Sequence, residues 1–175
     1  MKIQLFKNIL KLRIRKLRLE HRRSKNVRSY SDIRNILVFY DPDQQAQAQW
    51  LVNAFQADGK RVLAVCYSGK SSSAPIDVPE NFRVLRTRDL DWMYRPKAVC
   101  ISEVQDFHAD TLVDISVKRG LILSYLYYFV TADYQIGFKH SRSLPYDLML
   151  ERSGEQTDDF FVEQLLFYIK RIRIS

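Results

Sequence analysis

Residues 35–67 run strand, helix, strand in quick succession, and nothing else in the chain narrows its fold as far. Ile36-Leu37-Val38-Phe39-Tyr40 is an unbroken apolar, β-rich run, the pattern of a strand covered on both faces. Asp41-Pro42-Asp43 then predicts a helix start: Asp41 suits the cap, Pro42 the first helical position, and Asp43 the positive end of the helix dipole. Ala48, Leu51, Val52 and Phe55 fall on one face of that helix, and Gly59 is placed to stop it. Residues 61–67 form the next apolar run. A unit of about 30 residues with this order is the length of a right-handed parallel crossover.

The alternation continues to the end of the chain. Strands are predicted at 82–85, 97–101, 110–115, 134–138 and 146–150, with a helix that is apolar all round at 121–130. A last helix starts at the Thr157 cap, followed by Asp158 and Asp159, and ends among Lys170, Arg171 and Arg173. The expected fold class is α/β: a three-layer sandwich around a mainly parallel, Rossmann-like sheet, with an N-terminal basic amphipathic helix. At 175 residues the chain has room for one such domain, expected over 31–175, with residues 1–30 as a helical arm and linker.

The formal net charge of +8 is unevenly spread. Residues 1–28 hold eleven basic side chains against Glu20 alone, while the remaining 147 residues hold 17 basic and 19 acidic ones. A near-neutral domain with a cationic arm calls for an anionic partner, either a membrane surface or nucleic acid. Within the arm, Ile3, Phe6, Leu10, Ile14 and Leu17 form one apolar stripe at helical spacing, and Leu5, Ile9 and Leu12 form a second apolar edge. Lys7, Lys11, Arg15, Arg18 and Arg22 recur at spacings of 4, 4, 3 and 4, giving a basic stripe that is the candidate anionic-surface site. A basic amphipathic helix fits a membrane interface. Nucleic acid fits less well, because Phe6 is the sole Phe, Tyr or Trp of residues 1–28 and no reader motif is present.

Cys66 and Cys100 sit in apolar runs with no metal or disulfide spacing. Lys7 and Lys11 interrupt any secretory apolar core, and the longest apolar run, 121–130, is half the ~20 residues of a membrane span. The expected location is the cytoplasm, peripheral on the inner face of the membrane.

In an open parallel sheet, ligands bind beyond the carboxyl ends of the strands. That rule selects Asp41, Asp43, Ser68, Asp114, Ser116 and Arg119 as crevice residues. No glycine lies in the loop after the first strand, which argues against a dinucleotide. Ser68-Gly69-Lys70-Ser71 has Ala64 where a phosphate-binding loop needs glycine. Asp41-x-Asp43 after an apolar strand is the arrangement with which phosphotransferases of the haloacid dehalogenase type hold Mg²⁺, but it lacks their Gly-Thr, and helix capping accounts for it. His21, His108 and His140 have no partner at metal-ligand spacing. No metal and no cofactor are expected.

Two resemblances extend this reading. Asp110-Thr-Leu-Val-Asp114-Ile-Ser116, the apolar helix, and Ala132-Asp-Tyr-Gln-Ile-Gly137-Phe138 together resemble the N-terminal half of lipopolysaccharide heptosyltransferases, which implies a glycosyltransferase-like fold. Over nearly its full length the chain is similar to small bacterial proteins typical of Bacteroidetes, through Asp89-Leu-Asp-Trp92, Pro96-Lys97, Tyr146-Asp-Leu-Met-Leu150 and Phe161-Val-Glu-Gln164. That family has no assigned activity, so it implies fold alone. Two functions stand as expectations. The first is a non-enzymatic α/β domain that binds an anionic surface through its cationic helix. The alternative is a glycosyltransferase-like or phosphotransferase-like enzyme, or a ligand-binding relic, that uses the crevice.

Overall fold

The side chains of β1 (Asn35–Phe39) and of Tyr40 beside it alternate between two cores, and that alternation sets the layers of the molecule. Ile36, Val38 and Tyr40 enter one apolar cluster, while Leu37 and Phe39 enter the other. The computed structural model describes residues 2–21, 26–69, 78–118, 120–139, 144–151 and 157–173. Around β1 lie β2 (Arg61–Gly69), β3 (Phe82–Arg86), β4 (Thr111–Asp114), β5 (Tyr134–Phe138) and β6 (Leu148–Leu150). Every neighbouring pair is parallel, in the order β3-β2-β1-β4-β5-β6. This is the doubly wound order, with its reversal between β1 and β4.

Helices cover both faces. α2 (Gln45–Ala57) packs beside α5 (Asp158–Lys170), burying Leu51, Val52 and Phe55 with Val162, Leu165 and Ile169. On the other face lie α1 (Lys2–Glu20), α3 (Ala98–Asp106) and α4 (Leu121–Tyr127), whose Leu10, Val104 and Leu126 share one cluster. The expected helix stop at Gly59 and helix start at Thr157 are present. Gly59 follows α2 with φ +73°, a conformation glycine adopts without strain, and the Thr157 hydroxyl accepts from the Phe160 N–H at 3.3 Å.

One expected element is of the wrong type. Residues 97–101, read as a strand, lie in the loop before α3 and in its first turn. The apolar run Ala98-Val99-Cys100-Ile101 suggested a strand, but the buried positions are Cys100, Val104 and Phe107, spaced at 4 and 3, while Val99 faces solvent. A helix is also what the chain needs there, since it must cross from the β3 edge past β1 to β4.

α1 packs against α4 through its first apolar stripe: Leu10 is buried, with Ile14 and Leu17 partly buried beside it. At its end the His21 ring meets Tyr128 edge-on at 5.3 Å. Farther along, Arg28 bridges Asp133 at 2.8 Å and Asp110 at 3.2 Å, so one of the arm's cations is neutralised by the carboxylates just before β5 and β4.

Candidate functional site

At the carboxyl ends of β1 and β4, where the strand order reverses, the chain brings Asp41, Asp114, Ser116 and Lys118 together. Asp41 ends the β1 run and is buried because the 116–118 loop folds over it. Its carboxylate accepts the main-chain N–H of Lys118, and that of Val117 as well. Burial pushes the Asp41 carboxyl above its ordinary 3.8, against the pull of the Lys118 N–H, and the Asp114 and Asp43 charges add to the rise. Asp43 faces outward and pairs with the exposed Lys118 ammonium, which holds its carboxyl below the ordinary value.

Asp114 is equally committed. One carboxylate oxygen accepts the Ser116 N–H at 2.9 Å and the Ser116 hydroxyl, and the other accepts the Tyr146 hydroxyl. The Tyr146 ring lies on Gly137, where an added Cβ would stand 2.5 Å from the ring atoms. Tyr127 meets that ring edge-on at 5.4 Å and donates its hydroxyl to the Pro145 carbonyl at 3.0 Å. Loop amides that could receive a phosphate therefore hold Asp41 instead, and a tyrosine occupies the space beside Asp114.

Of the six crevice residues selected by sequence, Asp41, Asp114 and Ser116 converge, and Asp43 joins them through Lys118. Ser68 lies inside β2 and not beyond it, buried at the register shift between Tyr67 and Gly69. Arg119 lies outside the described residues, as does Arg22 of the basic stripe. Tyr146 is the member that sequence reasoning missed. Its signal, an aromatic residue shortly before an edge strand, is too common to single out.

The second candidate is the outer face of α1. Lys7, Lys11, Arg15 and Arg18 are all exposed on α1, Lys7 and Lys11 toward the edge of that face. With the first apolar stripe turned inward, the far side presents Leu5 at 59%, Leu12 at 62% and Leu19 at 87% exposure. Their spacing of seven keeps them in one line that drifts about 20° per repeat. Lys11, Arg15 and Arg18 flank that line on one side, with Arg13 and Lys16 on or beyond its other edge. The opposing charge is small: Glu20, 3.7 Å from Lys16, is the single carboxylate of the helix. Near its start Phe6 stacks on Tyr94 at 6.3 Å and meets Trp92, which is 76% exposed, at 6.4 Å. Among the described residues no helix is long and apolar enough to cross a membrane.

A family model described as a family of unknown function, DUF6913, matches residues 7–172. No curated protein and no solved structure matches the chain.

Proposed function

The chain belongs to this family of unknown function, and we propose that it is a non-enzymatic α/β domain that docks on an anionic membrane surface through the outer face of α1. The observation that carries the reading is the line Leu5, Leu12 and Leu19, exposed on a docked helix and bordered by exposed cations, of which Lys16 alone is shown paired among the described residues. It departs from a simple amphipathic arm in one respect. The stripe with the most apolar area is covered by α4, so the membrane meets the second apolar edge.

The energetics suit reversible attachment. Each cation near an anionic leaflet contributes about 1 kcal/mol, falling off within a Debye length. Each leucine that leaves water adds up to about 1.5–3 kcal/mol. The exposed Trp92 beside α1 is the kind of ring that settles at a membrane–water interface. The leaflet in view is the cytoplasmic one, as cysteine usage suggests. Likeness to Bacteroidetes proteins and to the N-terminal half of heptosyltransferases belongs to the same proposal, as ancestry of the fold. A glycosyltransferase-like or phosphotransferase-like reaction gains no support from the crevice, whose carboxylates and amides satisfy one another.

Co-sedimentation with vesicles of phosphatidylcholine and phosphatidylglycerol tests the reading across a salt series. Substitution is a better tool than deletion of residues 1–28, because deletion would uncover α4 and create a new sticky surface. Binding is expected to fade with salt and to fall at least about tenfold, or about 1.4 kcal/mol, in the triple variant Leu5→Ser, Leu12→Ser, Leu19→Ser. Equal binding by the triple variant would overturn the proposal, and binding to RNA in place of vesicles would move the helix to the nucleic-acid reading.

A further inference from the structure

Beneath the inner flank of α1 lies a cavity of about 610 Å³, within the range of small-molecule sites. Its walls come from four places in the fold. α1 contributes Lys7, Leu10 and Lys11; the ends of β2 and β3 bring Tyr67 and Thr87; the loop before α3 brings Tyr94; and the start of α4 brings Leu121 and Ile122. The cavity thus lies toward the carboxyl edge of the sheet, where parallel folds keep their ligands, but under β2 and β3 and away from the filled crevice at β1 and β4.

Its chemistry is one-sided. Lys7 and Lys11 are one helical turn apart and share a side of α1. Among the described residues no carboxylate lines the cavity, and neither lysine has an ion-pair partner. Leu10 and Ile122 are buried apolar surface, with Leu121 partly buried beside them. Tyr67 carries its hydroxyl beside Thr87, and burial pushes that hydroxyl above its ordinary value.

Tyr94 supplies a further observation. Its φ of +61° is unusual for a bulky residue and costs conformational energy. The turn that holds it is braced by Asp91, whose carboxylate accepts the Met93 N–H and the Arg95 N–H, each at 2.9 Å, and the Arg95 side chain at 2.8 Å. That brace presents the Tyr94 ring to the cavity wall against Phe6.

We infer that this cavity binds a small amphipathic anion, its phosphate or carboxylate head between Lys7 and Lys11 and its apolar body against Leu10, Leu121 and Ile122. The inference goes beyond the surface reading and does not rest on it.

Isothermal titration with octyl phosphate, below its micelle concentration, tests it on the full chain. Inorganic phosphate and 1-octanol serve as the head and the body alone. Octyl phosphate is expected to bind one to one, with each part alone at least about tenfold weaker. The cavity-filling Leu121→Trp and the exposed pair Lys7→Ala, Lys11→Ala should each weaken octyl phosphate by a similar factor. The lysine pair keeps the test valid should the tryptophan disturb folding. Octyl phosphate binding no tighter than its parts, or binding unchanged in the lysine pair, would overturn the inference. The lysine pair is shared by both proposals, so two other variants separate them. Leu121→Trp should leave vesicle binding intact, and the Leu5, Leu12, Leu19 variant should leave octyl phosphate binding intact.

Discussion

Tyr146 stands beside the strand ends where an open doubly wound protein would hold its ligand, and its position depends on a missing side chain. Gly137 leaves the room, and the hydroxyl bond to Asp114 prevents the ring from moving aside. Gly137→Ala is therefore expected to cost about 1–3 kcal/mol as overpacking, read as a lowered urea midpoint with unchanged slope. Asp58 gives a pH-dependent counterpart. Bonds from Lys170 and Tyr30 hold its carboxyl below the ordinary 3.8. A lowered folded value stabilises above 3.8, and that contribution is lost as pH falls through the folded value. Asp58→Asn should thus lower stability at neutral pH by no more than about 1 kcal/mol and have no effect in strong acid. The buried thiols Cys66 and Cys100, both pushed up by burial, are expected to resist iodoacetamide in the folded chain and to react on unfolding. Reaction under native conditions would contradict that burial.

α1 shows which parts of an element a sequence discloses. Its helical period was legible, because Phe6, Leu10, Ile14 and Leu17 repeat without interruption; Leu10, Ile14 and Leu17 do pack inward, and Phe6 meets the Tyr94 and Trp92 rings. Which apolar edge would remain outside was not legible, since both edges are apolar and packing against α4 decides between them. Leu19 continues the line of Leu5 and Leu12 at a spacing of seven, yet its exposure shows only once the helix is seen docked. Leu10→Ala should cost about 2–3 kcal/mol and speed hydrogen exchange along α1, whereas Leu19→Ala should stay within about 0.5 kcal/mol. Equal effects would mean that α1 is not held by the face described. α3 illustrates the opposite difficulty. Four apolar residues in a row cannot distinguish strand from helix, and the deciding residues, Val104 and Phe107, lie beyond the run.

At the scale of the molecule, the parallel α/β class was legible from local alternation, but the order β3-β2-β1-β4-β5-β6 was not, because strand order is a property of contacts distant in sequence. The same holds for the crevice. The rule of strand carboxyl ends brought Asp41, Asp114 and Ser116 together on paper, yet the Asp114–Tyr146 bond spans 32 positions and leaves no local trace. With α1 built into one of two cores, the chain should unfold as a unit: loss of far-UV ellipticity and the shift in Trp50 and Trp92 fluorescence are expected to coincide. An early separate loss of helicity would show that α1 detaches by itself. The distance between α1 and its cover has a consequence during synthesis. α4 begins at Leu121, about 100 residues after α1 ends, so at ribosomal rates of about 5–20 residues per second the inner stripe of α1 leaves the ribosome roughly 5–20 s before its cover exists. For that interval the nascent chain carries a cationic helix with both apolar edges bare, and whatever chaperone or lipid surface meets it first does so before the domain has formed.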